Sequence, residues 1–135
     1  MPPEPPPAAT LGILLLSGEY ERAHYAFMLA AAAAAVGRAV VLFATNGGCH
    51  ALADWSELRG AGTTAVEQDG ATQARGVAGL TELRDAAREL GVTLMACDAG
   101  LRVSGVLPQS LLPGTTVAGI PTFLAAAGTG QVLTF

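Results

Sequence analysis

The sequence contains no lysine. Its seven basic residues are all arginines, scattered at Arg22, Arg38, Arg59, Arg75, Arg84, Arg88 and Arg102. No basic stripe results, so the chain lacks the charge pattern that neutralises a phosphate backbone, and no nucleic-acid partner is expected. Charged residues of both signs make up only 13%, about half the usual share. A disordered chain is polar and charge-rich, whereas this one is 51% hydrophobic, so a packed core is expected. Two cysteines are too few for a disulfide scaffold. Two cysteines and two histidines without ligand spacing argue against a metal site. The P-loop lysine and the GxGxxG spacing are also missing, and no cofactor is expected. The best membrane candidate, residues 25–36, is shorter than the roughly 20 residues a span requires, and Arg38 interrupts its continuation. Residues 1–10 carry five prolines and no basic residue. They read as a disordered, polyproline-like tail and not as a signal peptide. A cytoplasmic, reducing home with free thiols is the expectation that follows.

What remains is an alternation of strand and helix over 135 residues, which is room for one domain at 11–135. Residues 11–16 (LGILLL) form a continuous apolar run, as in a strand covered on both faces. Residues 19–36 are alanine-rich with acids at the start and Gly37 as a stop, which predicts a helix. Residues 39–44 (AVVLFA) predict a second buried strand, with TNGG as its exit loop and a short helix near 49–58. Residues 60–79 are polar and glycine-rich without an apolar period, and read as a long mobile loop, the kind that serves as a lid or docking surface. Residues 80–90 predict an amphipathic helix with Thr81 as N-cap, Leu80, Leu83, Ala87 and Leu90 on one face, and Arg84 and Arg88 on another. A third strand at 92–96 runs directly into Cys97. A short helix at 98–103, a turn at 108–112, a strand at 115–118, a helix at 121–127 and a strand at 131–135 complete the chain. Strands joined by helical crossovers make an α/β fold, a parallel sheet with helices on both faces. So few charges on an alanine-rich chain also point to surface covered in an oligomer.

Open parallel sheets place their sites at the carboxyl ends of the strands. Three loops qualify: Ser17-Gly18-Glu19, residues 45–50, and residues 97–100. Both cysteines fall in such loops. Cys97 is the stronger candidate, because a thiol at a helix start feels the positive end of the dipole. Arg102, about one turn on, is placed to add positive charge or to bind an anion, while the carboxylate of Asp98 opposes ionisation. Free cysteine is also a common core residue, so position alone leaves reactive and inert readings level. Cys49 follows Gly47 and Gly48, whose backbones can approach a ligand closely, and precedes His50. A buried cysteine in a turn is the favoured reading there. His24, Trp55 and Phe123 read as packing residues.

The residues around Cys97 resemble a known family. Residues 92–105 (VTLMACDAGLRVSG), then LPQSLL, Val117-Ala118-Gly119 and the closing VLTF, are similar to the DsrE/DsrF-like family of small sulfur-relay proteins. The opening strand, the alanine-rich helix and the FATNGG loop are similar too. The resemblance implies a three-layer α/β/α fold with a mainly parallel five-stranded sheet, and homo-oligomers such as trimers or hexamers. It also implies a persulfide carried on the cysteine that matches the family's, here Cys97, with sulfur donor and acceptor proteins as partners. Cys49 departs from the family pattern. Three functions are therefore carried forward: a sulfur carrier acting through Cys97, a non-catalytic module binding a small ligand or a protein at the strand ends, and a dithiol redox protein using Cys49 with Cys97.

Overall fold

The computed structural model describes residues 9–135, so the expected tail lies outside the described residues except for Ala9 and Thr10. Five strands, β1 (Leu11–Leu15), β2 (Val40–Ala44), β3 (Thr93–Cys97), β4 (Thr116–Ala118) and β5 (Val132–Thr134), form one sheet. Its order is β4-β3-β2-β1-β5 and all pairs are parallel. Five α-helices accompany it: α1 (Tyr20–Ala35), α2 (Ala65–Ala74), α3 (Leu80–Glu89), α4 (Asp98–Ser104) and α5 (Ile120–Ala127). The expected α/β class and parallel sheet are what is found.

The period-two alternation of strand side chains sorts the core into two parts. Ile13, Leu15, Leu42, Ala44, Leu94 and Ala96 share one cluster with Phe27, Ala30, Leu80 and Ala87 of α1 and α3. Small alanines on α1 let it lie close to the sheet, and Phe27 fills the space between. Val41, Phe43, Met95 and Cys97 form the second cluster with Phe123 of α5. There the Phe43 and Phe123 rings stack with centroids 5.0 Å apart, a favourable offset contact. The register Leu15↔Ala44 and Ala44↔Ala96 brings the ends of β1, β2 and β3 level. These three strands therefore share one carboxyl rim.

Four local expectations are corrected. Residues 60–79 are not a continuous loop, because they contain α2. Thr64 caps it by accepting the Glu67 N–H at 3.1 Å, and the spacing TAVE is a capping signal. The helix buries only Ala65 and Asp69, so it has no apolar period to find. The helix expected at 49–58 is instead two 3-10 segments, Asn46–Leu52 and Trp55–Glu57. On α3 the N-cap is Gly79, and the Thr81 hydroxyl accepts from the Trp55 indole at 2.9 Å. Leu80 and Ala87 are buried and Arg88 is exposed, as the amphipathic reading expects, but Arg84 is buried and Leu90 is 47% exposed. The Arg84 guanidinium donates to the carbonyls of Ala51 and Ala53 at 3.0 and 2.9 Å, and so caps the 3-10 segment that carries Cys49. The apolar stem of the arginine serves there as core packing with a hydrogen-bonding tip.

Candidate functional site

Cys97 is the last residue of β3 and the N-cap of α4. Its sulfur accepts the Gly100 N–H at 3.3 Å, so a backbone donor is aimed at the one atom that sulfur chemistry would use. Both cysteines are buried, Cys97 at 9% exposure and Cys49 at 0%. Both are free thiols. They also belong to different parts of the core, Cys97 with Phe43 and Phe123, and Cys49 with Ala44 and Leu52. The Cys49 thiol donates to the Ala44 carbonyl at 3.6 Å.

Burial pushes the Cys49 thiol up to about 11 from an ordinary value of 9.0. A thiol that stays protonated in the fold but ionises in the unfolded chain supports folding fully below pH 9. That support is lost as pH rises from about 9 through about 11, at no more than ~1.4 kcal/mol per pH unit. Burial and the neighbouring Asp69 raise the Tyr20 hydroxyl as well, which adds loss of the same sign above pH 10. Urea titrations from pH 8 to 11 are therefore expected to show falling stability, with a shallower fall in Cys49→Ala. A flat wild-type profile would contradict the assignment.

The strand-end glycines shape the rim by close backbone approach. A Cβ on Gly47 would stand 2.9 Å from Gly18 Cα, and one on Gly48 would meet the Leu15 carbonyl oxygen. Gly47 and Gly48 thus seat the β2 exit loop on the end of β1. Gly100 does the same for α4, because its Cβ would lie 2.5 Å from both Asn46 N and Thr45 Oγ1. Asn46 itself has φ 50°, the left-handed conformation that asparagine tolerates better than most residues. Gly100→Ala is expected to push α4 off this loop and to cost about 1–3 kcal/mol by overpacking. Accelerated alkylation of Cys97 at unchanged denaturant would report the displacement, and an unaltered rate and stability would show that the loop gives way freely.

The other expected site residues fall in separate places. Arg102 is paired with Asp98 at 3.2 Å, both side chains being well exposed, so its guanidinium is engaged one helical turn along from the cap. His50 is half-buried and lines a different, open cleft with Asp54, Glu57 and Leu107. Among the described residues, no group of three or more histidine, cysteine, aspartate or glutamate side chains is placed to hold a metal. No helix is long and apolar enough to cross a membrane among the same residues. The sequence reading names Arg59 only among the scattered arginines and gives it no role. Its Nη1 lies 3.2 Å from where a Gly18 Cβ would stand, at the carboxyl end of β1.

Residues 11–135 match the sequence model of the DsrE/DsrF-like family. The chain belongs to that family. A curated relative of this DsrE/DsrF-like chain is the uncharacterized protein YrkE of Bacillus subtilis (strain 168), 29% identical, with 91% of this chain and 94% of the relative covered. The crystal structure of the YchN protein from E. coli superposes with a TM-score of 0.63 over 94% of this chain and 99% of that one, at 17% identity. That likeness shows a shared fold.

Proposed function

We propose that this DsrE/DsrF-like protein is a sulfur carrier that loads and unloads a persulfide on Cys97 in a cytoplasmic, reducing setting. Family membership supports a sulfur-relay role in general. The observation that favours Cys97 is its place at the strand-end rim, with the Gly100 N–H on its sulfur. In the loading step the Cys97 thiolate attacks the outer sulfur of a donor persulfide. The donor's S–S bond breaks, and the donor leaves as a thiolate with the bond's electron pair. An S–S bond forms on Cys97, and the reverse exchange passes the outer sulfur to an acceptor thiol. No external oxidant or reductant is consumed.

Mass spectrometry after incubation with a low-molecular-weight persulfide tests this reading. The expected result is a gain of one sulfur on the peptide that contains Cys97, removed by dithiothreitol. A gain on Cys49, or no gain, overturns it. A loss of two hydrogens on mild oxidation would instead favour the dithiol alternative.

We also propose that copies of the chain associate through α5. The helix is apolar almost throughout, yet Ile120 and Leu124 are 43% and 54% exposed, and Val132 beside it is 42% exposed. A helix apolar on all sides is normally covered. Leu124→Glu is expected to lower the mass seen by sedimentation to that of the monomer, with circular dichroism unchanged. A wild-type chain already monomeric at micromolar concentration would end the proposal.

A further inference from the structure

A cavity of about 210 Å³ lies beside the start of α1, lined by Glu19, Glu21, Arg59, Gly60, Ala61 and Gln68. Its charges are opposite in sign and are not spent on each other. Among the described residues the ion pairs are Arg22–Glu19, at 3.9 Å, and Arg102–Asp98. Among those residues Arg59 and Glu21 thus have no oppositely charged side chain within bonding distance, although both line the same small space.

The wall that carries Arg59 is fixed. Its N–H donates to the Gly18 carbonyl at 2.8 Å, and its carbonyl accepts the Tyr20 N–H at 2.9 Å. Isolated β-bridges to Glu19 and Thr64 hold its backbone in place. Gly60 is packed so closely that a Cβ would strike the Thr63 carbonyl oxygen. The Ala61 N–H donates to Gln68 Oε1 at 2.9 Å, which leaves the Gln68 amide NH2 as a free donor. The cavity lining therefore offers a guanidinium, an amide NH2 and carboxylates.

A purely anionic ligand would be repelled by Glu19 and Glu21, and a purely cationic one by Arg59. A small molecule that carries both charges can pair with both kinds of group. We propose that this cavity binds the zwitterionic head of an α-amino acid, with its carboxylate on Arg59 and Gln68 and its ammonium on Glu21. Guanidinium–carboxylate pairing supplies the directional contact. The assignment is independent of any sulfur chemistry at Cys97.

L-Serine is a suitable probe, because it carries the head group and no thiol. N-acetyl-L-serine lacks the ammonium, and ethanolamine lacks the carboxylate. Titration of the full chain by amide NMR is expected to give saturable shifts at Gly60, Ala61 and Gln68, with Kd on the order of 1 mM. Each analogue should bind at least about tenfold more weakly, and Arg59→Gln and Glu21→Gln should each weaken L-serine binding to the same degree, a loss within the range of a charge-assisted hydrogen bond. The analogue series on the wild-type chain carries the test if a variant folds poorly. Absence of saturable shifts at about 50 mM, well above the expected Kd, overturns the proposal. So does equal binding by either analogue, or well-folded variants that bind as the wild type does.

Discussion

Cys97→Ser is expected to abolish sulfur loading while leaving the fold at or near wild-type stability. The two halves of this expectation have separate physical causes. Loading needs a polarisable thiolate, and a serine hydroxyl remains protonated and far less nucleophilic at neutral pH without a neighbouring base. Stability is preserved because Cys97 occupies the N-cap of α4, where its sulfur accepts the Gly100 N–H. Serine is among the best residues at that position, and its shorter acceptor suits the same bond. Cys97→Ala removes the acceptor and is expected to lose about 1 kcal/mol as well as all loading. Cys49→Ala is expected to load normally, since that thiol is sealed in the core and bonded to the Ala44 carbonyl. Intact-mass measurement beside urea denaturation separates these effects. Loading that persists in Cys97→Ser, or that disappears in a well-folded Cys49→Ala, would reassign the carrier.

The parts of the fold that the sequence revealed are those where apolar residues recur with a regular period. Val40–Ala44 is buried along its whole length and Leu11–Leu15 nearly so, and such runs have few alternatives to a central parallel strand. Cys97 could be placed at a strand end because Met95 and Ala96 precede it and Asp98 starts a helix. The α2 segment was hidden for the opposite reason. It is anchored by Asp69 and capped by Thr64, and a hydropathy reading counts both as loop residues. The capping pair Thr64 and Glu67 was the available signal. Arg84 misled because its guanidinium reaches two backbone carbonyls 31 and 33 residues away in the chain. Arg59 was invisible for a related reason. Its significance comes from bridges to Glu19 and Thr64 and from its place over Gly18, none of which leaves a periodic trace.

The largest stability effect is expected at Asp69. This carboxylate is 7% exposed and accepts hydrogen bonds from the Tyr20 hydroxyl and, at 2.8 Å, from the Leu80 N–H. A single oxygen, Oδ1, thereby ties α2 to the first turn of α1 and the first turn of α3. The remaining buried contact of α2 is Ala65, too small to hold a ten-residue helix by apolar burial alone. Asp69→Ala leaves two buried donors without an acceptor, each costing about 1–3 kcal/mol. A loss of roughly 3–5 kcal/mol is therefore expected, seen as a fall in Tm of roughly 10–20 °C. Tyr20→Phe removes one donor and its partner bond together, leaves the Leu80 bond in place, and is expected to lose only about 1 kcal/mol. In the double variant the Tyr20 hydroxyl is no longer stranded, so its cost is expected to fall below the sum of the two single variants. Hydrogen exchange localises the effect: protection should drop first across residues 60–74, while the cluster around Phe43 and Phe123 stays protected. If Asp69→Ala loses less than about 1 kcal/mol, the carboxylate is not the tie, and α2 must be held by its cap and the Arg59 bridge.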